Sequence, residues 1–110
     1  MDVDHSKCRF LRGILALEDI EYTSRSLKAI AHPVRLQILC IIGCKEVSVK
    51  DIVANVGTSQ SNISQHLSVM RSKDIVASKK VANRVFYHIK NTVILQMMGI
   101  NPVDKFTPSN

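Results

Sequence analysis

A chain of 110 residues with 45% apolar and 22% charged side chains has the make-up of one globular domain, too apolar to stay disordered and too short for two cores. Its longest strongly apolar stretch, residues 36–43, falls far short of the roughly 20 residues that cross a bilayer, and three cysteines without a CxxC pair argue against a disulfide framework. The net charge of +6 is concentrated: residues 71–90 hold six Lys or Arg against the single Asp74, whereas residues 1–70 hold eight basic and seven acidic groups. That segment is a candidate polyanion contact, with a solvated charged hairpin as the alternative.

Residues 1–12 read as a flexible arm. The opening Met1-Asp2-Val3-Asp4-His5 is acidic and polar where a secretory signal is basic and then apolar, so a cytoplasmic location is expected. Residues 13–31 place Ile14, Leu17, Ile20, Leu27 and Ile30 among charged residues, the pattern of an amphipathic helix. His32-Pro33 punctuates the chain, and residues 34–42, apolar except for Arg35 and Gln37, predict a helix at the centre of the core.

A shorter helix follows over residues 49–55 and ends in the turn Val56-Gly57-Thr58. Ser59 can cap the next one, whose Ile63, Leu67 and Met70 form one apolar stripe running to about Lys73. Two short helices joined by a glycine-containing turn make a helix-turn-helix. Residues 76–80 and 84–89, rich in Val, Ile, Phe and Tyr, flank Ala82-Asn83 and predict a β-hairpin, the wing of such a domain. Residues 92–100 offer Val93, Ile94, Met97 and Met98 as a last helix, and its pairing with the first helix predicts a dimer interface. Residues 101–110 read as a polar tail. The predicted class is therefore mainly α with a small β-hairpin: a homodimeric winged helix-turn-helix over residues 13–100.

On the second helix of the motif, Gln60, Ser61, Asn62, Ser64, Gln65 and Ser68 lie opposite the apolar stripe. Amides pair bidentately with adenine and hydroxyls accept or donate, so this is the chemistry that reads base edges. No acidic residue occurs between Ile52 and Lys73 to repel phosphate. Ser59 and His66 adjoin the same face, and Arg71 and Lys73 at the helix end, with Lys79, Lys80 and Arg84 around the hairpin tip, are candidate phosphate contacts. A winged-helix protein-interaction module without DNA binding is the competing reading, but it would need neither the acid-free amide face nor the basic wing. No glycine-rich phosphate loop, carboxylate pair or nucleophile–base constellation is present, so no enzyme is expected.

Three ordered motifs carry a family resemblance: Leu27-Lys28-Ala29-Ile30-Ala31-His32-Pro33-Val34-Arg35-Leu36-Gln37-Ile38-Leu39, then Ser59-Gln60-Ser61-Asn62-Ile63-Ser64-Gln65-His66-Leu67, then Arg84-Val85-Phe86-Tyr87. Over residues 20–98 the chain resembles the ArsR/SmtB family. That implies a homodimeric winged-helix repressor, bound to duplex DNA at an inverted repeat and released when a metal or an oxidant is sensed. The resemblance places a soft-metal cysteine pair where this chain has Val47-Ser48-Val49-Lys50-Asp51, and a zinc site in residues 91–100, which contain no Asp, His or Glu. No metal and no cofactor are therefore expected, although Asp2, Asp4, His5 and Cys8 have ligand chemistry.

The nearest likeness is to the thiol- or sulfide-responsive subgroup, which keeps a sensor cysteine at the position of Cys40. Its second cysteine, in the last helix, has no counterpart in residues 92–100. Cys8 or Cys44 would have to act as the partner. Cys40 and Cys44 lie four apart on one helical face, a spacing that resists a strain-free disulfide, and Cys40 is otherwise a small core residue.

Overall fold

The computed structural model describes residues 20–100, in the order α1 (Ile20–Ile30), α2 (Pro33–Ile42), β1 (Val47–Ser48), α3 (Val49–Val56), α4 (Gln60–Ser72), β2 (Val76–Val81), β3 (Arg84–Ile89) and α5 (Thr92–Met97). The expected arm, the first turns of the first helix, the polar tail and Cys8 lie outside the described residues. The starts of α2, α3 and α4 carry local signals. His32 Nδ1 accepts from the Val34 N–H at 3.1 Å with Pro33 in the first turn of α2, and Ser48 Oγ accepts from the Asp51 N–H of α3. Ser59 Oγ accepts from the Asn62 N–H of α4. Gly57 ends α3 at φ 80°, a left-handed conformation that a β-carbon disfavours, and this lets the chain turn straight into α4.

The core is aliphatic. Ile38 and Ile42 from α2, Ile52 from α3, and Ile63, Leu67 and Met70 from α4 meet Ile75 just before β2, Val76 and Ile89 from the sheet and Leu95 from α5, all buried. The sheet is antiparallel in the order β1-β3-β2, with Val76 opposite Ile89 and Val81 opposite Arg84, so a two-residue turn of Ala82 and Asn83 closes the hairpin. Ala82 takes φ 55°, the positive angle that the right-handed twist of a two-residue hairpin demands of a turn residue. The strand β1 was not legible beforehand. Two residues carry no period, and Ser48 both pairs with Phe86 and caps α3.

Three expectations are corrected. Of the expected α1 stripe, Ile30 is buried and Leu27 packs partly on the core, but Ile20 is exposed and Thr23, Ser26 and Ala29 are buried in addition, while Ile14 and Leu17 lie outside the described residues. Helix α2 is not buried all round: Leu36 is 48% exposed and Cys40, one turn on, is exposed too. Helix α5 stops at Met97 rather than running to Ile100, because Gly99 at φ 75° lets the Ile100 N–H bond back to the Leu95 carbonyl at 2.8 Å.

Asn91, only 2% exposed, ties the two ends of the fold together. Its Oδ1 accepts from the Ile94 N–H at 3.0 Å and so caps α5, while its Nδ2 donates to the Tyr22 hydroxyl at 2.9 Å and to Ser26 Oγ at 3.0 Å on α1. Asn91→Ala removes the cap and two side-chain hydrogen bonds to α1, so it should cost about 2 kcal/mol and lower the melting temperature by roughly 10 °C. A thermal melt followed by circular dichroism checks this. An unchanged melting temperature would show that α1 and α5 are joined by apolar packing alone.

Candidate nucleic-acid interface

Burial of Ile63, Leu67 and Met70 on α4 decides which residues of that helix face outward. Gln60, Ser61, Ser64, Gln65 and Ser68 are exposed, and none forms a side-chain hydrogen bond that would withdraw it from a ligand, among the bonds described. Ser59 and Asn62, expected on the same reading face, build the helix start. The Ser59 hydroxyl is its cap, and Asn62 Nδ2 donates to Thr58 Oγ1 at 3.2 Å.

Between α4 and the wing runs an open groove of about 630 Å³. Gln60 and Ser64 line one side, Asn83 and Arg84 the hairpin tip, and Lys50 the start of α3. The structure thus brings Gln60, Ser64 and Arg84 together, and adds Lys50 and Asn83, which sequence reasoning passed over. Lys50 stood in a short amphipathic helix and carried no pattern of its own. Arg71 and Lys73 are exposed near the other end of α4, a helix of 13 residues and so about 20 Å long, and do not share the groove. Lys73 instead lines a cavity of about 390 Å³ with Arg25 and Lys28 of α1.

The wing cations differ from one another. Neighbouring residues of a strand point to opposite faces, so Lys80 shares the face of Tyr87 and Val85 that fronts the groove, and Lys79 points the other way beside Phe86. Lys79 Nζ lies 3.8 Å from Glu46 Oε1, and His88 Nδ1 lies 3.8 Å from the other oxygen of that carboxylate. Both groups of the Lys79–Glu46 pair are exposed, so the attraction is weak, but it places a negative charge beside one of the expected phosphate contacts.

His66 is half-buried and already engaged. Arg35 Nε donates to His66 Nδ1 at 3.1 Å, Arg35 Nη1 donates to the Ala29 carbonyl at 2.9 Å, and the His32 ring packs on His66 with centroids 4.4 Å apart. Burial first, then the neighbouring His32 and Arg35, hold the His66 imidazole below its ordinary value of 6.5. Arg35 was singled out in the sequence only as a break in an apolar helix.

The cysteines also fall differently from expectation. Ile38, Leu39 and Ile42 occupy the core side of α2, so Cys40 is not a core residue but exposed beside Leu36. Gly43, at φ 54°, caps α2, so half-buried Cys44 lies beyond the helix rather than one turn along the same face. Among the described residues no group of three His, Cys, Asp or Glu is arranged to hold a metal ion, and no helix is long and apolar enough to cross a membrane.

Residues 32–78 match the family described as bacterial regulatory protein, arsR family. The transcriptional activator HlyU of Vibrio cholerae is 36% identical over 96 residues, covering 83% of this chain and 89% of that protein. The solved structure of HlyU from Vibrio cholerae N16961 superposes with a TM-score of 0.71 at 34% identity, over 76% of this chain and 91% of that one. The same protein in its reduced form gives 0.67 at 37% identity, over 76% and 92%. The transcriptional repressor BigR from Xylella fastidiosa gives 0.69 at 28% identity, over 74% and 84%. The homodimeric winged helix-turn-helix DNA-binding domain of Mb0332 from Mycobacterium bovis gives 0.62 at 25% identity, over 72% of each chain.

Because His66 binds its proton less tightly in the folded protein than in the unfolded chain, the unfolded state takes up that proton first on acidification. The contribution of His66 to stability is therefore complete above about pH 6.5 and falls as the pH drops toward its lowered folded value. Urea unfolding at about pH 7.5 and about pH 5.5 should show a smaller stability at the lower pH, and less of a difference in His66→Asn. An equal difference in the variant would assign the effect to other groups.

Proposed function

The chain belongs to the arsR family of bacterial regulatory proteins and is a DNA-binding transcriptional regulator, and we propose that it acts in the cytoplasm as a homodimeric repressor that reads an inverted-repeat operator with α4. The observation that carries this reading is the acid-free hydroxyl and amide face of α4 set across one groove from Arg84 of the wing, with Lys80 opposite Val85 on the same face of the hairpin. Gln60, Ser61, Ser64 and Gln65 have the donors and acceptors that discriminate base edges in a major groove. Lys50, Lys80 and Arg84 supply cations for the phosphates on either side, with Lys79 secondary because Glu46 stands beside it. Arg71 and Lys73 would meet backbone at the far end of the helix.

In this reading α1 and α5 form the subunit interface, supported by exposed Ile20 and Tyr22 on α1 and Met97 on α5 and by the likeness to the homodimeric Mb0332 domain. Two recognition helices related by a two-fold axis fit half-sites about one helical turn apart, or a multiple of it. Residues 13–100 carry both functions in this reading, between the arm and the tail.

Release is assigned to thiol chemistry at Cys40, in keeping with its exposure on α2 and with a likeness to a regulator that has been solved in a reduced form. Hydrogen peroxide converts the Cys40 thiol to a sulfenic acid and water. A thiol of Cys8 or Cys44 then condenses with the sulfenic acid to a disulfide, releasing a second water. Binding to duplex DNA from upstream of its own gene should be lost after mild peroxide treatment, restored by reductant, and indifferent to both in Cys40→Ser. Peroxide-insensitive binding by the wild type would remove the thiol switch and leave the regulator.

The repressor reading itself is tested by salt. Each phosphate contact contributes about −0.9 to the slope of log affinity against log salt, so Lys80→Ala and Arg84→Ala should each flatten the slope by about that amount. Lys79→Ala should change it less. A slope near zero in the wild type would favour an interaction module over a DNA-binding protein.

A further inference from the structure

Arg35, His32 and His66 form a cluster that the DNA-binding surface does not use and that joins three helices. Arg35 rises from the first turn of α2. One nitrogen of its guanidinium is fixed on the last turn of α1 through the Ala29 carbonyl, and its Nε is fixed on the middle of α4 through His66 Nδ1. His66 stands on the flank of α4, between buried Leu67 and exposed Gln65, so whatever holds His66 sets the fine rotation of the Ser61–Gln65 face that the buried stripe turns outward. His32 completes the cluster: its ring lies against His66, and its own Nδ1 caps α2.

We propose that this cluster positions α4 for operator recognition and that protonating His66 releases it, so that operator affinity falls on acidification. The inference rests on the DNA-binding reading above. Its chemistry follows from the direction of the hydrogen bonds. A neutral imidazole that accepts at Nδ1 carries its hydrogen on Nε2, and its one free lone pair is the acceptor itself. A proton added to His66 must therefore take the site that accepts from Arg35, and it leaves two cations facing each other. His32 Nδ1 is likewise occupied, accepting from the Val34 N–H.

The groups whose charge acts on His66 are both basic: Arg35 from α2 and His32 from the α1–α2 junction. From α1 the cluster receives only the Ala29 carbonyl, which Arg35 already occupies. Helix α3 and strand β2, also packed on α4, place no charge that acts on the ring among the described residues. The lowered affinity of His66 for a proton agrees with this surrounding. A His66 that served as a direct phosphate contact would behave in the opposite way, since DNA would then stabilise its cation and acidification would tighten binding.

The test is a pH series of affinities, from about pH 7.5 to about pH 5.5, for a duplex that the protein itself selects from random sequence and for a shuffled version of it. Far-UV circular dichroism verifies a folded protein at each pH. In the wild type, Kd for the selected duplex should rise by up to about tenfold per pH unit once the free-protein His66 titrates, narrowing its advantage over the shuffled duplex. His66→Asn places an acceptor, Oδ1, on the same atom that carries Nδ1 and cannot titrate; its affinity should match the wild type at pH 7.5 and stay flat. His32→Asn keeps the cap of α2 while removing the neighbouring ring, and should move the fall to higher pH; this variant decides the matter if His66→Asn does not fold. The proposal is overturned by wild-type affinity that is flat or rises on acidification, by a fall that persists in His66→Asn, or by a His32→Asn profile that does not move. Failure to select any duplex would instead overturn the DNA-binding reading.

Discussion

One stripe of three side chains on α4 sets the terms for the rest of the molecule. Ile63, Leu67 and Met70 are buried against α2, α3 and the sheet, and at about 2 kcal/mol for each fully buried aliphatic side chain they hold the helix with a strength comparable to the whole stability of a small domain. A helix held on one side has little freedom in what the other presents, and a flank contact such as that of Arg35 on His66 sets only its fine rotation. Gln60, Ser61, Ser64, Gln65 and Ser68 face solvent because the stripe faces inward, and the groove shared with the wing follows from where β2 leaves the end of α4. Asp74, at φ 60°, makes that exit: the Ile75 N–H turns back to the Met70 carbonyl at 2.9 Å, so the last turn of α4 delivers the chain directly into the sheet.

What the sequence made legible is what periodicity and local chemistry encode. The spacing of the α4 stripe, the Ser59 cap, the glycine between α3 and α4 and the Ala82-Asn83 turn all act within a few residues, and each is placed as expected. The pieces that escaped depend on partners far apart in the chain. Asn91 reads as one polar residue before an apolar run, and only its distance to Tyr22 and Ser26, across 69 and 65 residues, turns it into a clasp. Arg35 and His66 lie 31 residues apart and look like unrelated polar residues until the helices cross. Cys40 shows the reverse error: a small residue in an apolar helix reads as core, yet α2 needs only Ile38, Leu39 and Ile42 to fill its side of the interior.

The candidate interface has the same mixture. Its amide and hydroxyl face was legible because the absence of acidic residues is a property of composition. The ranking of its cations was not, because strand direction and the place of Glu46 decide it. Adjacent lysines on a strand are opposite in orientation, so Lys79 and Lys80 share a sequence neighbourhood without sharing an environment. Counting charge over a segment therefore overstates what any one surface presents. Lys50, a single cation outside the basic segment, belongs to the groove more directly than Arg71 or Lys73 inside it.

Helix α1 is where the two long-range connections meet. Its second turn is held to α5 through Tyr22, Ser26 and Asn91, and its last turn is held to α4 through Ala29, Arg35 and His66. The buried side of α1 combines Ile30 and partly buried Leu27 with the small or polar Thr23, Ser26 and Ala29, which add little apolar area for anchorage. The position of α1 is therefore set to an unusual degree by these hydrogen bonds, and a helix fixed by few directional contacts can shift as a unit when one is lost. If the exposed side of α1 and α5 is where two subunits meet, then the same helix that senses the partner also bears on the recognition helix through one guanidinium. A change at the subunit face and a proton at His66 would reach the reading face of α4 by that common path, without either agent touching the DNA.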